Sequence, residues 1–375
     1  MAPWSAADRR AGRAMSGGAA KPLAARWLNR GFPRNAACRV LIYYTDSAIC
    51  WSQIYPFVHH AAALQARYGA TIRCAPVQAF LEGRAGPEAD IVLIQPWFTT
   101  PAEDLARALE RLCTRLPQAR VSFLDSFAHN DLRLGQAVEP YIRYYLKKSL
   151  FRDREQYLRA FRGDTNLTEY YSDLYGVETG EPVDWTVPAA LLDRLRFSPN
   201  FFTAPRFVSG FLEHPLPPAS GRSIDVQSRL GVTGSPWYTA MRRDAQARIE
   251  RIPDLTLSPP GKLSLAEFMA ELSDARLCFS PFGYGELCWR DIEAFQAGAV
   301  LIKPDMSHLE TAPELYEAGV TYLPVRWDFA DLEEVIRTAL SDEERCAQIA
   351  RTAHQRVRTY LDRGGFVQDM AFLFA

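Results

Sequence analysis

The stretch Arg276–Glu310 reads RLCFS-PFGYGE-LCWRDIEAFQAG-AVLIKPD-MSHLE and decides how the chain is understood. Arg276–Ser280 is a short apolar run. Pro281, Gly283 and Gly285 break it, and Leu287–Ala297 then carries helical spacing. Gly298 stops the helix, and Val300–Ile302 is the next buried strand. A glycine loop that feeds a helix N-terminus presents free backbone N–H groups and the positive end of the helix dipole, which suits a phosphate. Arg290, one turn in, adds a planar cationic fork. Glu293 lies three residues on and on the same face. It is an acceptor-only group suited to a ribose or sugar hydroxyl. The expectation is a nucleotide-diphosphate pocket without a P-loop lysine. An i,i+3 surface ion pair between Arg290 and Glu293 is the plain alternative.

The stretch resembles the donor-binding segment of GT-B glycosyltransferases. It is closer to the exostosin and fucosyltransferase style, or to a glycosyltransferase group 1 C-terminal domain, than to the large retaining families. Those usually space two glutamates by seven residues around a P-F-G. Here Pro281-Phe282-Gly283 is present, but six residues separate Glu286 from Glu293, which leaves the stereochemical outcome open. The resemblance covers Arg276–Arg358. It implies two Rossmann-like domains facing a cleft, a nucleotide-sugar donor, a glycan or lipid-linked saccharide acceptor, no cofactor, and no metal.

A length of 375 residues suits two domains of ordinary size. Hydrophobic residues make up 48% and charged residues 23%, a globular balance. A net charge of −1 gives no global pointer to nucleic acid, so none is expected as a partner. The seven cysteines show no C-x-x-C and no metal spacing, which reads as reduced thiols in a cytosolic protein. No run approaches about 18 apolar residues, so no transmembrane helix is expected, and no signal-peptide pattern opens the chain. Residues 1–35 hold seven Lys or Arg against one acid. They read as a disordered leader or, functionally, as a basic arm resting on an anionic membrane surface.

The first half alternates strands and helices. Strands are expected at Arg39–Tyr44, Thr71–Cys74, Ile91–Gln95 and Val121–Asp125, with helices at His59–Tyr68 and Ala102–Leu116. This pattern implies a parallel sheet covered by helices. Residues 135–200 break the rhythm and read as a helical insertion with a long loop, in which Asp164–Tyr171 could face the acceptor. Pro215, Pro217, Pro218 and Gly221 mark a linker. The expected units are therefore an acceptor-side domain over 36–215 and a donor-side domain over 220–375. In the second, helices are expected at Tyr238–Arg251, Leu265–Leu272, Asp331–Leu340 and Asp342–Tyr360, and strands near Leu255–Leu257 and at Gly319–Val325. The resemblance implies that the last helix crosses back to the first domain.

Other candidates follow from position. Gly283 and Gly285 shape the phosphate-facing loop, and Glu286 either caps the helix or reaches the donor sugar. Lys303 and His308 follow a strand's C-terminal edge, where ligands of open α/β sheets gather. Among Arg229, Arg242 and Arg243, the resemblance favours Arg242 against the donor diphosphate. A catalytic base is expected from the first domain, at a strand's C-terminal end. Asp46 and Asp125 are the candidates, and both could instead be turn formers or N-caps. Trp51 and Trp97 could stack on a sugar, though core packing is their ordinary role. Two other classes remain in view: a non-catalytic ligand-binding module, and a GT-B-like nucleotide-sugar epimerase.

Overall fold

A computed structural model describes residues 31–84, 86–259 and 261–375. Most of the basic leader (residues 1–30) lies outside the described residues.

The first sheet has six strands, all paired in parallel. They are β1 (Cys38–Tyr44), β2 (Ala70–Pro76), β3 (Ile91–Ile94), β4 (Arg120–Leu124), β5 (Tyr144–Lys147) and β7 (Leu195–Phe197), in the order β2-β1-β3-β4-β5-β7. The central strands read as continuous apolar runs because helices cover both faces. Val40, Ile42, Ile91 and Leu93 pack with Ile54 and Phe57 of α1 (Ala48–His59) on one face. Leu41, Val92 and Ile94 pack with Leu105 and Leu109 of α3 (Ala102–Arg115) on the other. A second helix, α2 (Ala61–Tyr68), precedes β2 and ends on Gly69 at φ 66°, a left-handed cap that favours glycine.

The second sheet is parallel as well: β8 (Ile224–Gln227), β9 (Ala275–Phe279), β10 (Val300–Pro304) and β12 (Leu323–Val325), in that order. Helices α6 (Pro236–Glu250), α7 (Leu265–Ser273), α8 (Trp289–Ala297) and α9 (Leu332–Ser341) flank it. As expected, α8 stops at Gly298, whose φ is 70°. The long α10 (Glu343–Asp362) leads into α11 (Gly365–Asp369), which returns to the first sheet. Phe366 sits edge-on to Phe57 at 4.9 Å, and Phe374 stacks on Tyr68 at 4.3 Å.

Three expectations need correction. Residues 135–200 are not a helical insertion, because Tyr144–Lys147 and Leu195–Phe197 are strands of the first sheet. Tyr145, Lys147 and Lys148 of YYLKK point into buried, hydrogen-bonded positions, so charge masks a strand there. Between these strands, β6 (Leu150–Phe151) pairs antiparallel with β11 (Leu309–Glu310), and α4 (Asn166–Tyr175) packs on the second half. Second, β8 at Ile224–Gln227 went unrecognised because Ser223 and Asp225 dilute its apolar pattern. Third, Leu255–Leu257 contributes only a single bridge, between Leu257 and Val226.

Candidate functional site

The strand order of the second sheet reverses beside β8. This strand has β9 on one side and the Leu257 bridge on the other. Ligands of open α/β sheets bind in the crevice that such a reversal opens at the strands' C-terminal ends. Two loops rise there: residues 228–235 after β8, and residues 280–288 after β9, which feeds α8.

Arg290 bridges these loops. Its Nη2 donates to the Arg229 carbonyl, while its buried Nε has no hydrogen-bond partner. A buried guanidinium N–H without an acceptor costs about 1–3 kcal/mol or more. It stands in the first turn of a helix, where backbone and dipole both favour an anion. Arg229 itself is committed elsewhere, with Nε and Nη2 on Glu271 of α7. Glu293 does not pair with Arg290. Its Oε1 accepts from Arg206 Nη2 at 2.6 Å, and the Arg206 guanidinium lies 4.9 Å from the Trp289 ring. Arg206 belongs to α5 (Pro205–Glu213), so this pair ties that helix to α8.

The structure gives several expected site residues other duties. Arg242 is buried. Its Nε and Nη2 donate to the Phe282 carbonyl at 3.1 and 2.8 Å, and its guanidinium covers Tyr238. Burial lowers its pKa. It braces the glycine loop from behind and does not face the crevice with free donors. Lys303 is fully buried and pairs with Asp291 at 3.1 Å. Asp291 also accepts from Ser280 Oγ at 2.7 Å, Tyr316 OH at 2.7 Å and the Cys288 amide at 3.0 Å. The pair therefore locks the start of α8 to the ends of β9 and β10, and Lys303 has no ligand-facing role.

Asp125 is likewise unsuited to act as a base. Oδ2 accepts from Lys147 Nζ at 2.7 Å and Tyr145 OH at 2.8 Å, and Oδ1 from the Phe127 amide at 2.7 Å, all in a buried setting. Asp46 is different. It is exposed at the end of β1, where the first sheet's order reverses between β1 and β3. The adjacent Ser47 supplies the N-cap of α1, which frees Asp46 from that role.

The two glycines differ. A Cβ on Gly283 would meet nothing closer than 3.6 Å, whereas one on Gly285 would stand 1.8 Å from the Ala128 carbonyl oxygen. Ala128 follows β4, so Gly285 is where the second half's loop presses against the first half. Glu286 comes next and is buried. Its Oε1 accepts from Asn166 Nδ2 of α4 at 2.9 Å and lies 3.3 Å from His308 Nε2. Burial pushes its pKa up, but the His308 contact and charge, with Asn166, outweigh this and hold it below the ordinary value.

Beyond Glu286 opens a cleft of about 860 Å³ between α4 and the ends of β10 and β12. Asn166, Tyr170, His308 and Trp327 line it. His308 was expected; Tyr170 falls within the segment expected to face an acceptor. Trp327 was not foreseen. Nor was Arg206, whose partner lies 87 residues away. One signal in α4 could have been read: Leu167, Tyr170, Tyr171 and Leu174 form one apolar stripe at i, i+3, i+4, i+7, of which Leu167 and Tyr171 are buried while Tyr170 and Leu174 lie at its exposed edge. Among the described residues, no group of three or more His, Cys, Asp or Glu could hold a metal ion. All seven cysteines are free thiols.

No protein-family model matches the chain, and no curated protein matches it. Solved structures do. An alpha-glucosyltransferase in complex with UDP and a 13-mer DNA containing an HMU base superposes with a TM-score of 0.50. It is 9% identical, and the match covers 90% of this chain and 99% of that one. The fold is GT-B. Two further similarities have lower TM-scores and add nothing to that assignment. The apo lipopolysaccharide outer core galactosyltransferase WaaB has a TM-score of 0.47 at 11% identity, covering 88% of this chain and 99% of that chain. A UDP-N-acetylglucosamine 2-epimerase has 0.41 at 10%, covering 88% and 96%. Within the GT-B frame, Arg290 and the loop after β9 sit at the crevice of the second Rossmann-like sheet, and Asp46 at that of the first.

Proposed function

We propose that the chain is a glycosyltransferase that moves a sugar, a hexose in the simplest case, from a nucleotide-sugar donor to a saccharide hydroxyl. The observation that carries this reading is Arg290. A cationic side chain with an unpartnered buried Nε stands in the first turn of a helix, at the strand-order reversal of a GT-B sheet.

The donor diphosphate would take Arg290 and the N–H groups that open α8. This electrostatic stabilisation of the leaving group needs no metal. Glu293 keeps Oε2 for a ribose hydroxyl while Oε1 holds Arg206. Asp46, exposed at the opposite crevice, is the remaining first-half candidate for accepting the acceptor's proton. Closure of the halves would exclude water, the competing acceptor. A glycan or lipid-linked saccharide fits as acceptor, in polysaccharide assembly. The leader's arginines would bring the enzyme to an anionic membrane face.

The test is incubation with UDP-, GDP-, CMP- and dTDP-sugars, with and without mono- and disaccharides, followed by product analysis. The reading predicts nucleotide released from one donor class, faster with a saccharide present, and a new glycosidic product. Epimerised sugar that remains on its nucleotide would make the protein an epimerase. No turnover of any donor by folded protein would contradict both.

A further inference from the structure

We infer that the seam between the two halves holds a site for one small anionic group, built on Lys148 and His129. The group is a halide ion or a single oxygen of a phosphate. The site stands without the glycosyltransferase reading; only the second of these two sources rests on it.

A small cavity places the site. It lies where the residues that follow β4, β5 and β7 meet the approach to α8. His129, Lys148, Ser149 and Phe201 line it from the first half, and Leu287 from the second. Its volume of about 10 Å³ is room for about one water-sized group. The halves touch closely around it. Gly285 leaves no room for a Cβ against the Ala128 carbonyl, and Phe201 stacks on Trp289, the first residue of α8, at 4.9 Å.

Charge decides what the cavity takes. Lys147 and Lys148 both line it, and among the described residues none of its lining is acidic. Lys147 is answered by Asp125 at 2.7 Å and by the His129 and Asp131 carbonyls. Lys148 has no such answer. It is 6% exposed, and its Nζ donates to the Ser126 and Phe127 carbonyls at 2.6 and 3.1 Å and lies 4.5 Å from the centre of the Phe201 ring. Among the described residues no carboxylate touches it. A buried ammonium held only by neutral groups is costly until a counter-charge reaches it. Burial lowers its pKa to about 8, which leaves it charged at neutral pH.

His129 supplies the second observation. It is 7% exposed, and its buried Nδ1 has no hydrogen-bond partner. Burial, then Arg133, pushes its pKa down to about 3, so it is a neutral imidazole that can offer one N–H from Nδ1. The cavity therefore presents one positive charge and a neutral donor to a group about the size of one atom. A carboxylate or a whole phosphate is too large to enter. A bound anion would be enclosed by both halves, so it would stabilise them in their joined arrangement. A free halide would make that arrangement dependent on the salt present. A phosphate oxygen would instead let the donor's diphosphate, held by Arg290 and α8, draw the first half onto itself.

The experiment is thermal unfolding of the full chain at constant ionic strength, with sodium gluconate exchanged for sodium chloride or sodium bromide, and then in gluconate with UDP, GDP, CMP and dTDP. Wild type, Lys148→Met, His129→Phe and Arg290→Ala are compared. The expected result is a rise in Tm with a halide or with one nucleotide, absent in Lys148→Met and with an apparent affinity about tenfold weaker in His129→Phe. In gluconate alone, Lys148→Met should unfold no lower than wild type, because an apolar side chain replaces an unanswered charge. A halide effect that Arg290→Ala retains identifies a free anion. A nucleotide effect lost in both Lys148→Met and Arg290→Ala identifies the donor's phosphate. No gain over gluconate from any anion, or a gain that Lys148→Met keeps in full, overturns the inference. Should Lys148→Met not fold, a gain in His129→Phe equal to that of wild type overturns it. Nucleotide stabilisation lost only in Arg290→Ala, with no halide effect, overturns the inference and leaves the glycosyltransferase reading standing. A halide effect with no nucleotide effect supports the site and counts against that reading.

Discussion

Asp291 and Lys303 show how a charge can be placed for structure where chemistry was expected. Both are fully buried, and each partner of Asp291 is itself a group of the protein: Lys303, Ser280, Tyr316 and the Cys288 amide. Removing one partner of such a pair leaves an uncompensated buried charge, at about 3–5 kcal/mol. Lys303→Met should therefore lower unfolding stability by roughly that amount, measured by urea denaturation. Lys303→Met together with Asp291→Asn, which removes the unpaired charge and keeps an oxygen for the Ser280, Tyr316 and Cys288 donors, should recover part of the loss. The glycines make a second prediction. Gly285→Ala forces a Cβ against the Ala128 carbonyl and should cost at least about 1–3 kcal/mol. Gly283→Ala should stay within about 1 kcal/mol of wild type in the same denaturation series. Glu286 supplies a pH dependence. Its carboxyl is held below the ordinary 4.5, so the folded state binds fewer protons than the unfolded chain. Its stabilising contribution is complete above 4.5 and fades as pH falls through the lower folded-state pKa. The stability difference between wild type and Glu286→Gln should shrink between pH 6 and pH 3; a constant difference would count against the contacts assigned here.

Elements were legible where pattern and burial agree. The loop and helix after β9 were readable because Pro281, Gly283, Gly285 and Gly298 punctuate an apolar run, and the structure places α8 and its left-handed stop there. The alternation of the first half was readable because β1, β3 and β4 are buried on both faces. Tyr144–Lys147 was not, because a strand that ends in a buried Tyr145–Asp125–Lys147 cluster looks polar in one dimension. The site divides in the same way. The place of Arg290 in the first turn of α8 was visible from the sequence. The duties of Arg242, Lys303, Asp125 and Glu293 depend on partners 12 to 87 residues distant, namely the Phe282 carbonyl, Asp291, Lys147 and Arg206, and local spacing carries no trace of them. The same holds for α4. Its Tyr171 stacks on Trp237 at 6.1 Å and near Trp327, and Tyr175 OH bonds Asp244 at 3.0 Å, all in the second half.

At the scale of the whole molecule, the halves are joined at several places, among them β6 against β11, α4 against α6, Arg206 of α5 against Glu293 of α8, Gly285 against Ala128, and the C-terminal return. Phe366 is almost completely buried among residues of the first half. Phe366→Ala should cost about 3–5 kcal/mol and should loosen the first half, seen as faster amide exchange in β1 and β2. The central claim, that the second sheet's crevice holds a nucleotide diphosphate, has a direct test. Thermal unfolding of wild type and Arg290→Ala is followed with UDP, GDP, CMP and dTDP. A ligand at 100 times its dissociation constant adds about 2.7 kcal/mol of stability. The account predicts a shift of that size with one nucleotide in wild type and its loss in Arg290→Ala. No shift with any nucleotide, or one that Arg290→Ala leaves intact, would contradict it.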